Sequence, residues 1–312
     1  MKYQIRPLHA EDYPEVTKIY NSQNEPHHHL TEEELRDSHA RAAERGFHRV
    51  LSAVEDGEVI ATGQFGERPG DNPPGKFWAW FFVREDRVGT GVDTALFDAA
   101  LEQLADREPT SVWTCVREDF MPAAAYLSER AYEEQFRSWG ASLDLAEFVP
   151  TEFGGYEDAL ARRGIVLCTY AELASDPYRD AKLAALQSEL EDDAPHCEPI
   201  IPKRHPAPHH PTTWLDSYVV AVHDGAYVGL ASLTSQPRFP AVAGSGLTGV
   251  RREYRNHGVG TALLAHTSTW AKERGYAEVN GGGAGANAPM LKAIRRIGFD
   301  VEPAWVTLAK FL

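Results

Sequence analysis

Apolar and polar positions alternate along this chain with two periods, and the switches between them mark the elements. His48–Val54 and Glu58–Phe65 carry mostly alternating apolar side chains on either side of Asp56-Gly57. Asp-Gly readily adopts positive φ, so this pattern predicts two strands joined by a tight hairpin. Tyr3–Ile5, Phe77–Val83 and Val112–Val116 read as further strands. Ala10–Tyr20, Thr94–Ala105 and Pro122–Arg130 read as helices. Thr31-Glu32-Glu33-Glu34 has capping-box spacing and opens a helix that ends near Gly46.

The pattern then recurs. Tyr218–Val222 and Tyr227–Leu233 flank Asp224-Gly225, and Leu247–Val250 ends a strand. Thr261–Arg274 is predicted helical, with Leu263, Leu264, Thr267, Trp270 and Ala271 on one face and Gly275 as its C-terminal cap. Asn287 caps a last helix with Pro289 in its first turn. Met290, Leu291, Ile294 and Ile297 form its apolar stripe, and Gly298 closes it. AVEDG at 53–57 and AVHDG at 221–225 lie 168 residues apart, and GVDTAL at 91–96 and GVGTAL at 258–263 lie 167 apart. Pro122 with Pro289 and Tyr132 with Phe299 share the offset of 167. Four landmarks at nearly one offset identify a tandem repeat. Residues 1–148 and 164–312 are the expected domains, joined by a Pro-, Gly- and charge-rich connector at 149–163.

Composition narrows the classes. The 312 residues are 25% charged and 43% hydrophobic, as in ordinary globular proteins. No apolar run approaches the ~20 residues of a membrane span, and the start has no secretory signal. The net charge is −15, with 15 basic and 28 acidic residues in 1–150. Such a chain is a poor general binder of nucleic acid, which needs Lys and Arg to neutralise phosphate. Cys115, Cys168 and Cys197 are scattered, forming neither a disulfide framework nor a zinc pattern, and a cytoplasmic protein without a metal is expected.

The chemistry concentrates in VRREYRNHGVGTALL at 250–264: a strand end, a glycine pair, then a helix. Glycines let backbone approach a phosphate, and a helix start offers unpaired N–H groups with a positive dipole end. Arg251, Arg252 and Arg255 add charge. A dinucleotide fingerprint would need a third glycine where Leu263 stands, and a P-loop would need Gly-Lys-Ser/Thr.

Arg255-Asn256-His257-Gly258-Val259-Gly260 resembles the (Q/R)-x-x-G-x-(G/A) signature of the GNAT superfamily of acyl-CoA-dependent N-acyltransferases. NAPMLKAIRRIGF at 287–299 is similar to that family's late helix, and PAWVTLAKFL to the end of tandem-GNAT proteins. The resemblance implies an α/β fold with a mixed sheet, in two tandem GNAT copies forming a pseudo-dimer within a monomer. It implies acetyl-CoA as co-substrate and a small-molecule amine as acceptor. The amides of Arg255, Asn256, His257, Gly258, Val259, Gly260 and Thr261 would hold the pyrophosphate. The backbone of Leu247, Thr248 and Val250 would pair with the pantetheine arm, which Asn287 would also reach, with the Val250 amide polarising the thioester carbonyl; Arg251 and Met290 would also bind the coenzyme. The first copy departs from the signature: Val88 replaces the basic residue, Asp93 the second glycine, and Phe120 stands where Asn287 does. Coenzyme binding is therefore expected in the second copy.

Many family members use a Tyr before the final Gly-Phe as general acid; Ile294 stands there. The strand before the glycine turn has no carboxylate. Glu253, just beyond it, and His210 and Asp216, in or after a loop with six prolines between 195 and 211, are the candidates for moving the amine's proton. A silent coenzyme-binding module and a protein acetyltransferase are the competing expectations.

Overall fold

Two Asp-Gly turns fix the hairpins around which the halves are built. In the computed structural model, which describes residues 3–24, 28–68, 72–119, 127–195 and 212–312, Asp56 and Gly57 take φ of 51° and 86°. Asp224 and Gly225 take 48° and 75°. Both are the left-handed pairs that a two-residue hairpin needs.

The first repeat runs β1 (Gln4–Pro7), α1 (Tyr13–Ser22), α2 (Glu32–Arg45), β2 (His48–Glu55), β3 (Glu58–Gly66), β4 (Lys76–Val83), α3 (Val92–Leu104), β5 (Ser111–Arg117) and β6 (Glu133–Asp144). The second runs α4 (Gly154–Ala161), β7 (Ile165–Thr169), α5 (Arg179–Asp192), β8 (Val219–His223), β9 (Ala226–Ala231), β10 (Leu233–Ser235), β11 (Val242–Ser245), β12 (Gly249–Val250), α6 (Val259–Glu273), β13 (Glu278–Ala284), α7 (Ala288–Ile297), β14 (Asp300–Val301) and β15 (Trp305–Phe311). The stretch 149–163 is itself structured, as a single turn at Pro150–Glu152 followed by α4.

By contacts, one unit runs to Phe136 and also takes in Trp305–Leu312, while the other is built from residues between Arg137 and Ala304. In the first unit β1 to β4 are antiparallel neighbours, β4 and β5 are parallel, and β15 pairs antiparallel with β5 from Trp305↔Arg117 to Phe311↔Ser111. In the second, β6 pairs antiparallel with β13 from Asp144↔Glu278 to Ser138↔Ala284, followed by β11 and β10. A separate sheet runs β12-β9-β8-β7. At the repeat offset β6 is the counterpart of β14 and β15. Each unit thus contains a closing strand from the other repeat, an exchange that periodicity could not disclose.

Local chemistry explains the helices. The Thr31 hydroxyl accepts the Glu34 N–H at 3.2 Å, and the Glu34 carboxylate accepts the Thr31 N–H at 2.7 Å, forming the expected capping box. Helix α6 begins two residues before the predicted Thr261, so Gly258 is its N-cap. Leu263, Leu264, Thr267, Trp270 and Ala271 are all buried, as their spacing predicts. The strand expected before the glycine turn is divided into β11 and β12. The helix α5 and the strands β6, β7, β10, β13 and β15 do not follow from the sequence pattern, although Leu183, Leu186 and Leu190 at helical spacing carry the buried face of α5. The predicted helix Pro122–Arg130 lies largely outside the described residues.

His39 of α2 is buried, with its Nδ1 3.1 Å from the Tyr13 hydroxyl and its ring 5.6 Å from that of His48. Burial, with the neighbouring His48, lowers its pKa from 6.5 to about 4. Between those values the unfolded chain binds the extra proton, so stability falls as pH drops from 6.5 and the loss is complete near 4. The full linkage is roughly 3 kcal/mol. The stability advantage of wild type over His39→Gln, from urea melts, should shrink by about that amount between pH 7 and pH 4. A pH-independent difference would contradict this placement.

Candidate functional site

One strand changes partners, and the site opens where it does so. β11 runs parallel to β13 from Val242↔Glu278 to Gly244↔Asn280. The chain then steps through Gly246, whose N–H donates to the Ser232 carbonyl at 2.8 Å. A Cβ on Gly246 would collide with the Ser232 hydroxyl and crowd the Ser232 carbonyl at 3.1 Å, so this step favours glycine. The chain re-emerges as β12, which bonds to β9 and forms the edge of the other sheet. The Arg251 N–H donates to the Val228 carbonyl at 2.9 Å. Antiparallel alternation therefore turns the backbone groups of Thr248 and Val250 away from β9, toward the open edge.

A cavity of 400 Å³ lies along this edge. Leu247, Thr248 and Val250 line it from the strand. Arg255, Asn256, Gly258, Val259, Gly260 and Thr261 line it from the turn and the start of α6, and Asn287 and Met290 from α7. A second cavity of 260 Å³ shares Leu247, Thr248, Asn287 and Met290 and extends between Ser245–Thr248 and Gly281–Ala284. The sequence-predicted coenzyme residues therefore converge, apart from exposed His257 and Arg251, which line neither cavity.

The turn is shaped for an anion. Asn256 and Gly258 have φ of 63° and 88°, and a Cβ on Gly258 would meet the Tyr156 ring at 3.0 Å. Gly258 offers no side-chain cap, so the first amides of α6 have no partner within the helix. Arg255 reaches back, its Nε donating to the Val250 carbonyl at 3.0 Å. Lys292 and Arg296, one turn apart on α7, add positive charge to the cavity wall. Sequence reasoning passed over both, although their i, i+4 spacing beside the apolar stripe placed them on one helix face. It also missed Leu190, Ala194 and Pro195, which line the cavity after α5.

The arginines are already engaged. Asp193 accepts from both Arg252 and Arg255, and Glu189 pairs with Arg251 at 3.0 Å. Bonds from Arg252 and then Arg255 hold the Asp193 carboxyl below its ordinary pKa. Asp193 thus occupies the charge that an incoming phosphate would use.

Proton-handling groups are sparse. Glu253 is exposed on the turn Arg252–Tyr254, and Asp216 pairs with Arg274 at 3.1 Å; neither lines either cavity. His210 lies outside the described residues. Among the described residues of the inner cavity there is no carboxylate, His or Tyr, and Ile294 is buried in its wall. Ser245, Thr248 and Asn287 are polar there, and Asn287 Oδ1 accepts the Met290 N–H at 3.2 Å, capping α7.

The equivalent turn of the first unit differs. Gly91 has φ of 85°, matching Gly258, but Asp93 sits in the first turn of α3 and its Oδ1 accepts the Thr94 N–H at 2.8 Å. The helix start is met by its own carboxylate, which repels a phosphate.

The sequence matches the acetyltransferase (GNAT) family twice, at residues 4–132 and 183–299. Among solved structures, it is similar to a GCN5-related N-acetyltransferase from Sphaerobacter thermophilus, with 18% identity, a TM-score of 0.68, and coverage of 99% of this chain and 96% of that one. A tandem GNAT protein from the clavulanic acid biosynthesis pathway gives 19% identity, a TM-score of 0.62 and coverage of 99% and 98%. A fungal multi-domain β-N-acetylglucosaminidase with a GCN5-related glucosamine N-acetyltransferase region gives 16% identity and a TM-score of 0.65, with 99% of this chain on 38% of that one. At these identities the likeness establishes the fold, in two tandem copies. No curated protein sequence matches. Among the described residues no helix is long and apolar enough to cross a membrane.

The glycine turn, bare helix start and flanking cations fit a diphosphate. Titrated with coenzyme A at low salt, Gly258→Asp should lose binding by at least ~100-fold, since it strains the left-handed backbone and adds a like charge. Gly91→Asp should leave the affinity unchanged. Asp193→Asn should tighten binding by releasing Arg255. Equal losses from both glycine variants would contradict the asymmetry between the units.

Proposed function

Because the chain belongs to the acetyltransferase (GNAT) family, we propose that its second unit transfers an acetyl group from acetyl-CoA to a primary amine of a small molecule. The observation that carries this reading is the free edge of β12 beside the unpaired amides of α6. The amides of Val259, Gly260 and Thr261 hold the pyrophosphate, with Arg255, Lys292 and Arg296 around it. The exposed backbone of Thr248 and Val250 pairs with the amides of the pantetheine arm, as a strand edge pairs with an extended peptide. The thioester then enters the inner cavity between Ser245–Thr248 and Gly281–Ala284.

In the reaction the neutral amine attacks the thioester carbonyl carbon. The Thr248 N–H, whose residue lines both cavities, stabilises the oxygen as it gains charge, rather than that of Val250, which lines the outer cavity alone; collapse breaks the C–S bond, with the thiolate taking the electron pair. A thiol with pKa near ~8.5 leaves without a dedicated acid, so Ile294 in place of Tyr does not stop transfer. Proton removal from the ammonium falls to His210, whose assignment rests on sequence, or to water. Glu253 and Asp216 line neither cavity.

A second reading has a specific observation in its favour. The inner cavity's described wall has no titratable group, as in a module that holds acyl-CoA without turning it over. Thiol release from acetyl-CoA, followed with a thiol reagent across polyamines, amino sugars and amino acids, separates the two. The account expects release dependent on one class of small amine and absent in Gly258→Asp. Coenzyme binding without release on any amine would favour the silent module, and product from peptide acceptors alone would overturn the small-molecule assignment.

A further inference from the structure

The inner cavity of the second unit is deeper than a thioester carbonyl requires. Leu247, Thr248, Asn287 and Met290, which it shares with the outer cavity, mark its mouth. Trp139, Ala141, Leu264, Ile294 and Phe299 line the inner cavity but not the outer one, and all five belong to the buried core of this unit. They mark its inner end. A volume of 260 Å³ holds about eight groups the size of a water, at ~30 Å³ each. An acetyl group with its sulfur fills about half of that.

The end wall comes from the exchanged strand. Trp139 and Ala141 lie two apart on β6, and so on one face, opposite Gly283 and Gly281 of β13. The Trp139 Nε1–H donates to the Ala284 carbonyl at 3.0 Å, which fixes the indole across the strand pair. A Cβ on Gly283 would come within 2.7 Å of the indole, so glycine there makes room for the ring. Ala141 and Gly281, both small, leave open the space beside it. With the indole N–H already bonded, the side chains at this end offer an acyl tail apolar surface.

We propose that this end of the cavity receives the tail of a saturated acyl chain longer than acetyl, up to about six carbons, and that Trp139 and Ala141 set the length accepted. This rests on the coenzyme reading of the second unit and extends its donors from acetyl-CoA to short straight-chain acyl-CoAs. Transfer is otherwise the same. The N–C bond forms, the C–S bond breaks, the thiolate leaves with the electron pair, and the amine's proton passes to the base or to water. Each methylene that enters adds apolar burial, so affinity rises with chain length until the tail meets the indole.

Isothermal titration of the full chain with coenzyme A and its acetyl, butyryl, hexanoyl and decanoyl thioesters reads this without requiring turnover. Hexanoyl-CoA should bind at least about tenfold tighter than acetyl-CoA, and decanoyl-CoA more weakly than hexanoyl-CoA. Ala141→Leu fills the end of the cavity, and its ratio of hexanoyl-CoA to acetyl-CoA affinity should fall to about one. Trp139→Leu removes the stop, and decanoyl-CoA should then bind at least about fivefold tighter than hexanoyl-CoA. Each ratio is read within one variant, and retained binding of coenzyme A shows that the variant is folded. Coenzyme A binding with no gain from acetyl to hexanoyl, or a chain-length profile unchanged in both variants, would overturn the acyl recess and leave the coenzyme reading standing. No binding of coenzyme A itself would overturn the coenzyme reading and the recess with it.

Discussion

Everything proposed for the second unit depends on unpaired backbone amides at the start of α6. A helix start always has such groups, and here no side chain caps them among the described residues. Gly258 supplies no capping side chain, and its left-handed backbone sets the turn. The first unit shows what happens when one residue changes. Gly91 keeps the same backbone, yet Asp93 brings a carboxylate to the helix start. The same fold thus presents a positive end in one copy and a neutralised one in the other.

The second requirement is an edge strand beside those amides. Sheets ordinarily hide their edges, because unpaired N–H and C=O groups invite association. Here, after the departure at Gly246, β12 has a neighbour on one side only among the described strands. The strand exchange bears on the same region, since β6 pairs along the whole of β13 and so supports the opposite wall of the inner cavity. Asp193 lines the same cavity as an internal anion. Its pairing with Arg252 and Arg255 keeps the arginines ordered near where a phosphate would come.

Sequence disclosed the parts governed by local chemistry. Asp-Gly hairpins, the Thr31–Glu34 box, the glycine turn and the stripe of α6 each follow from residues within one element or turn. The repeat offset was legible because landmarks such as Gly91 and Gly258 keep their backbone roles. What stayed hidden depends on long-range pairing. Nothing in the sequence of β15 says that it belongs with β5 rather than with the repeat that precedes it. Lys292 and Arg296 join the site only because α7 packs beside the glycine turn.

Hydrogen exchange of individual backbone amides, with and without coenzyme A, tests the central claim most directly. The account predicts slowed exchange at Val259, Gly260 and Thr261 and along Thr248–Val250, with no change at the Gly91–Thr94 turn. Protection centred on the first unit's turn, or none at the start of α6 under saturating coenzyme, would contradict it.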